Sequence, residues 1–375
     1  MRSPRTLLFL TASAIFALGL IMIFSTTSAE VLDLELDKST HQALVKQLYY
    51  AIAGIALAWC VLKTGYRTIL RCSAPLLAIF TVMLVLALIP GIGREVNGSR
   101  RWLHIAGLSF QPSEFVKYLV PAYFIHRFLQ YDPNEFTFRD FIKLVAIVAV
   151  PMLLIMVEPN NGTTAVIGMT LVALFFISRI HFRYWAWPLI CFVLVVGTFA
   201  SQLPYVSARI RVYLHPELDL KGKGHQPYQA KIAAGSGQLW GKGPGNSLQK
   251  LSYLPEAQND YIAAIYAEEF GFLGIASIIA LYLSLATIGF AIAFNCPDRG
   301  GYYLASCAIF LISFQAFLNL GVVSGLLPST GLNLPLFSQG GTSLMANIAG
   351  LSLLFSVSIE TDKMRLVRKD GARDG

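Results

Sequence analysis

From its first residues to about residue 360 the chain falls into apolar blocks of roughly 17 to 25 residues, separated by short charged or Gly/Pro-containing stretches. A helix of that length crosses a hydrocarbon core about 30 Å thick. No other feature restricts the fold as tightly. Hydrophobic residues make up 55% of the 375 and charged residues 13%, with a mean hydropathy of +0.59. A soluble chain of this size does not have that balance. The sequence therefore predicts an all-α polytopic integral membrane protein of about ten transmembrane helices, near 6–29, 47–63, 73–91, 113–130, 141–158, 162–178, 184–201, 260–294, 301–324 and 342–360. Residues 1–360 form a single membrane domain, and 361–375 a short charged tail. The first block is too long, and its sequel EVLDLELDK too poor in small residues, for a cleaved signal peptide.

Lys and Arg are unevenly divided between the two sides of this pattern. Arg2, Arg5, Lys63, Arg67, Arg71, Arg127, Arg139, Lys143, Arg179, Arg183, Arg299 and the tail cations fall on one side; Lys38, Lys46, Arg94, Arg100 and Arg101 fall in short loops on the other. The richer side is cytoplasmic, which puts both termini inside and leaves residues 202–260 as one long extracytoplasmic loop. The net charge of +8 is thus a topology signal. Its cations are spread over many loops, and no nucleic-acid-binding stripe is expected. Cys60, Cys72, Cys191, Cys296 and Cys307 show neither disulfide nor metal-ligand spacing.

Four stretches carry chemistry. In KLSYLPEAQNDYIAAIYAEEFGFLG, Pro255 ends what precedes and Asn259 or Asp260 is a natural cap for a helix running to about 294. Asp260, Ala264, Ala267 and Gly271 lie on one face, so an acid heads a stripe of small residues; a solvated cap and a functional carboxylate are both compatible with it. For Glu268 and Glu269, further along that helix, packing or partner contact is the favoured role. In GREVNGSRRW, Arg94, Arg100 and Arg101 break the positive-inside pattern beside an Asn97–Gly98 turn; a phosphate or pyrophosphate site and ordinary solvated charge are equally open readings. In QPSEFVKY, Glu114 and Lys117 share a helix face inside a span, either as a structural ion pair or with Lys117 turned to an anionic ligand in a cavity. The long loop is rich in Gly and Lys, including Lys242 and Lys250, and gives a basic face to an anionic partner or lipid headgroup. It fails as a nucleotide-binding phosphate loop, because five residues separate Gly235 from Gly241 and Gly243 follows Lys242. Finally, GLLPSTGLNLPLFSQGGTSL interrupts apolar sequence with Pro and Gly at the outer edge, as backbone lining a cavity does.

Taken in order, NGSRRWLHIAGLSFQPSEFVK, EPNNGTT, KIAAGSGQLWGKGPG, LQKLSYLPEAQNDYIAAIYAEEFGFLG and GLLPSTGLNLPLFSQGGTSL resemble the SEDS family (shape, elongation, division and sporulation) across roughly residues 91–350. Asn97–Gly98 and Gln249–Lys250 are more similar to its division branch than to its elongation branch. The resemblance implies a peptidoglycan glycosyltransferase that polymerises lipid II outside the bacterial cytoplasmic membrane. It implies a class B penicillin-binding protein as partner, together with other division or elongation proteins. By position Asp260 matches the essential aspartate of the family, and Arg101, Glu114 and Lys117 match other functionally important positions. Arg94, Arg100, Lys242 and Lys250 complete the expected substrate-binding set. No cofactor is required; a divalent cation is left open. Two positions depart from the family pattern, Asn160 standing where an acid is usual and Gln339 where Tyr is frequent. A flippase for the lipid-linked precursor and a non-enzymatic division scaffold are the competing functions, and both predict that replacing Asp260 leaves polymerisation intact.

Overall fold

The computed structural model describes residues 4–34, 41–96, 99–105, 107–132, 135–190, 213, 224–251, 254 and 257–371. Six helices among them are long and apolar enough to cross a membrane: α1 (Pro4–Leu34), α2 (Gln42–Thr64), α6 (Phe138–Val157), α9 (Ile262–Phe294), α10 (Arg299–Val323) and α11 (Gly341–Gly371). Ten were expected. The difference lies in α4 (Ser73–Leu88), α5 (Ser113–Phe128) and α7 (Asn161–Ile177), which have 16, 16 and 17 residues, and in the span expected at 184–201, whose second half falls outside the described residues. α3 (Tyr66–Arg71) and α8 (His225–Ser236) are short connectors.

Burial divides the bundle into an interior and a lipid-facing shell. Every residue of α5 from Glu114 to Ile125 except Phe115 is buried, and α10 and α11 are mostly buried too. On α2, by contrast, Ile52, Ile55, Trp59 and Leu62 are exposed apolar side chains on one face, the surface a helix offers to acyl chains. The two intramembrane charges of α5 therefore sit at the centre, where lipid cannot reach them.

Local sequence explains several element ends. Thr137 caps α6 by accepting from Asp140 N–H at 3.3 Å while the Asp140 carboxylate returns to Thr137, a complete capping box. Asn160 caps α7, its side-chain oxygen accepting from Thr163 N–H at 3.4 Å. Asn caps as well as Asp does, so the loss of a carboxylate here leaves this helix start in place. α11 continues to Gly371, beyond residue 361 where the sequence reading began a tail.

Two segments differ from expectation. Residues read as a short loop between spans form a three-stranded antiparallel sheet, β1 (Gly93–Val96), β2 (Ser99–Ile105) and β3 (Leu108–Phe110), the one sheet among the described residues. The Asn97–Gly98 turn lies outside the described residues, but Val96 pairs with Ser99 across it. The second difference is in α9. Its N-cap position is Tyr261, so Asp260 lies in the preceding turn and does not cap the helix. The helix also breaks at Gly271 (φ 66°, ψ −162°), where a Cβ would stand 2.4 Å from Gly241 N. In an unbroken helix Phe272 and Leu273 N–H would bond the Glu268 and Glu269 carbonyls. Instead Phe272 and Leu273 donate to Gln238 and Leu239 carbonyls, and Glu268 and Glu269 carbonyls accept from Lys242 and Gly243. Residues 238–243 thus satisfy all four groups that the break exposes, which a membrane interior requires.

Candidate functional site

A cavity of about 440 Å³ opens at the end of the bundle where α5, α7 and α11 begin, and both Asp260 and Arg101 line it. Asp260 is half-buried in the turn before α9. That turn is held through its backbone: Asn319 Nδ2, on α10, donates to the Asp260 carbonyl at 2.8 Å and to the Leu332 carbonyl at 2.7 Å. Opposite, Gly331 (φ +66°) brings bare backbone so close that a Cβ there would lie 3.6 Å from Asp260 Oδ2.

The irregular segment 325–340 forms a second wall and is pinned by polar side chains from inside the bundle. Gln315 Nε2 donates to Asn333 O at 2.8 Å, Asn333 Nδ2 to Gln339 O at 2.8 Å, and Gln47 Nε2 to Ser338 O at 3.3 Å. Gln339 N–H donates back to Gln258 O at 3.0 Å, tying this wall to the Asp260 turn. Backbone freed from helix geometry at membrane depth needs such partners. Gln339 itself lines the cavity, and its Oε1 is buried without a hydrogen-bond partner among the described residues.

The third wall is the sheet. Alternation along β2 sends neighbouring side chains to opposite faces, and this separates the three arginines that the sequence reading grouped. Arg101 reaches the cavity. Arg100 turns away and pairs with Glu95 at 3.0 Å, and Arg94 is exposed on β1 opposite Trp102; neither lines the cavity. Arg101 Nη2 donates to Ser99 Oγ at 2.9 Å, while its Nε is buried without a partner among the described residues. Burial pulls the Arg101 guanidinium below its ordinary value, and the nearby Glu158 and Asp260 carboxylates pull it back up.

Glu114 lines the cavity, and Lys117 does not. Lys117 is 1% exposed; its Nζ donates to Glu114 Oε2 at 2.6 Å and to Gln315 Oε1 at 2.7 Å. The lysine is one turn deeper in the membrane, where it holds the carboxylate that faces the cavity and, through Gln315, the wall at Asn333. Lys242 and Lys250 are likewise engaged elsewhere. Lys242 pairs with Glu268 at 2.6 Å and Lys250 with Glu269 at 2.8 Å. Glu268 also accepts from Ser247 Oγ at 2.5 Å and from the backbone of Gln249 at 3.3 Å, so the two glutamates fasten the segment 242–250 onto α9.

Sequence reasoning did not single out Tyr50, Gln111, Gln226 or Asn333 on the cavity wall, nor Gln315 and Asn319 behind it. The last two had a usable signal, a polar pair at i, i+4 in an otherwise apolar helix.

Glu158 opens the EPNNGTT stretch. It follows the last residue of α6, is fully enclosed, and neither carboxylate oxygen has a hydrogen-bond partner among the described residues. Burial raises its carboxyl from 4.5 to about 8, against the pull of Arg101. Because the folded value is the higher one, the folded chain keeps a proton that the unfolded chain releases. The corresponding stability is fully present below about pH 4.5 and lost as pH rises to about 8. Thermal unfolding in detergent from pH 5 to 8.5 should show a falling Tm, and Glu158→Gln should reduce that fall by ~3 °C or more. Parallel profiles for the two proteins would contradict the assignment.

The family model FTSW_RODA_SPOVE, described as cell cycle protein, matches residues 5–363. Stage V sporulation protein E of Bacillus subtilis is 38% identical over 359 residues, covering 95% of this chain and 97% of that protein. A probable peptidoglycan glycosyltransferase FtsW of Legionella pneumophila is 36% identical over 355 residues, 92% of this chain and 89% of that one. Among solved structures, a chain of a peptidoglycan synthase complex that coordinates polymerization and crosslinking superposes with a TM-score of 0.77 at 27% identity, covering 94% and 97%. Rod shape determining protein RodA of Thermus thermophilus superposes at 0.68 and 26%, covering 94% and 96%. With the model matched over nearly its whole length, the chain belongs to the FtsW/RodA/SpoVE family of cell cycle proteins, as a multi-pass protein of the bacterial cytoplasmic membrane.

Proposed function

We propose that this protein is a peptidoglycan glycosyltransferase that polymerises lipid II on the outer face of the cytoplasmic membrane, with ten spans, both termini inside and residues 202–260 outside. The observation that carries the reading is the shared cavity of Asp260 and Arg101: a carboxylate and a partly desolvated guanidinium line one space with room for sugar rings. Relatives named as peptidoglycan glycosyltransferases support the same chemistry.

In this reading Asp260 takes the proton of the acceptor sugar 4-hydroxyl as its oxygen attacks the donor anomeric carbon. The bond from that carbon to the diphosphate breaks with inversion, and the polyprenyl diphosphate leaves with the electron pair. Arg101, whose fork suits phosphate oxygens, stabilises the charge that develops there. Glu114, held by Lys117, orients a sugar or peptide group at the cavity floor. Lys242, Lys250, Arg94 and Arg100 act outside the cavity, the two lysines by fixing the loop above it.

A lipid-linked donor also needs a place for its tail. A wholly apolar groove of about 330 Å³ runs between α2, α4, α5 and α11, lined by Phe80, Phe110, Phe115 and Leu353 among others. Phe110 is the neighbour of Ser109 and Gln111, which line the polar cavity. A tail in the groove thus meets a headgroup in the cavity, and the substrate stays in the bilayer throughout.

The division role is the finer reading we favour, on Gln249–Lys250 and the NG turn, with a class B penicillin-binding protein as partner; the likeness to a polymerization and crosslinking complex supports such an assembly. The test is glycan strand synthesis from lipid II by the purified chain with that transpeptidase. Arg101→Gln should lower kcat/KM for lipid II by ~100-fold or more, as loss of a transition-state charge contact does. Wild-type kinetics would remove the diphosphate role from Arg101.

A further inference from the structure

A second cavity, of about 310 Å³, lies at the other end of α2 and α11, and Lys63, Arg67, Glu360 and Lys363 line it. α11 connects the two sites. Ser343 lines the first and Lys363 the second; twenty residues of helix separate them by about 30 Å, the thickness of a hydrocarbon core. The second cavity therefore sits at the opposite membrane face from Asp260.

Its charges are unbalanced. Glu360, the one acid, is engaged by Arg67 at 3.4 Å, and Gly65 (φ +81°) lets that carboxylate approach so closely that a Cβ would stand 2.6 Å from Oε1. Lys63 and Lys363 have no acidic partner among the described residues. What remains is a recess with two uncompensated ammonium groups beside a guanidinium whose Nη2 donates, among the described residues, only to the weak acceptor Met364 Sδ, at 3.4 Å. The Lys63 ammonium also lies 3.9 Å from the centroid of the Trp59 ring, which stands 57% exposed on the same helix. From Trp59 the exposed stripe of Ile55 and Ile52 continues toward mid-membrane.

We propose that this recess binds the phosphate headgroup of an anionic phospholipid, held by Lys63, Lys363 and Arg67, with its acyl chains along the Ile52–Ile55–Trp59–Leu62 stripe. The stripe favours a lipid over free phosphate, because an apolar ligand surface continues directly from the cationic recess. Basic pockets between membrane helices select anionic headgroups in this manner.

The test uses the full chain in neutral detergent, titrated with phosphatidylglycerol, phosphatidylcholine or sodium phosphate. Thermal unfolding and native mass spectrometry of retained lipid are the readouts. Phosphatidylglycerol should raise Tm and stay bound, less so at high salt, whereas phosphatidylcholine should do neither. The variant Lys63→Gln/Lys363→Gln should weaken phosphatidylglycerol retention by about tenfold or more. Arg71→Gln/Arg127→Gln removes two exposed cations from outside the recess and should leave retention unchanged. The proposal is overturned by equal retention in the two double variants, by equal binding of phosphatidylcholine, or by sodium phosphate reproducing the Tm rise. If the Lys63/Lys363 variant unfolds, Lys363→Arg must retain the lipid where Lys363→Glu loses it; any other pairing overturns the site as well.

Discussion

Asp260→Asn should reduce glycan strand synthesis from lipid II by at least ~10²- to 10⁴-fold, the range that removal of a positioned general base produces. The fold should survive the change. Asp260 is not the cap of α9, and the bond that fixes its turn is accepted by its backbone carbonyl from Asn319, which asparagine retains. Strand synthesis read on a gel beside circular dichroism and Tm of the same preparation separates chemistry from collapse. A variant that folds and still polymerises at the wild-type rate would place the base elsewhere.

The second large effect is on stability. Lys117→Met leaves Glu114 with no cationic partner in the centre of the bundle, and breaking one side of a buried pair costs about 3–5 kcal/mol. The Tm in detergent should drop accordingly, or the protein should fail to accumulate. Replacing both members, Glu114→Leu with Lys117→Met, should recover much of that loss, because a matched apolar pair carries no orphaned charge. Polymerisation should nevertheless stay low in the double variant, since Glu114 lines the cavity. Full activity there would reduce the pair to a packing device.

Much of this was readable from residue order. The membrane class followed from block length, and the Asp260, Glu114 and Arg101 stretches were singled out before any geometry was known. What the sequence could not display was direction. A strand in place of a loop sends Arg100 and Arg101 to opposite sides, so three neighbouring arginines became one cavity residue and two surface ones. Lysines that seemed available to a ligand proved to be spoken for by acids 19 and 26 residues away, pairings set by tertiary contact and invisible to local pattern. The missed wall residues are uncharged Tyr, Gln and Asn, whose placement depends on how α2, α8 and the 325–340 segment converge. Ten spans were expected where six helices among the described residues are long and apolar enough to cross a membrane, because cores such as α5 are shorter and carry charge that only their neighbours make tolerable.

The interruption of α9 at Gly271 has a mechanical corollary. Four main-chain bonds from residues 238–243 bridge the gap, so the stiffness of the half-helix behind Asp260 is borrowed from a segment outside the helix. The two ends of that half-helix are therefore secured by different partners: the 238–243 segment at Gly271, and Asn319 with the Gln339 N–H at the turn that carries Asp260.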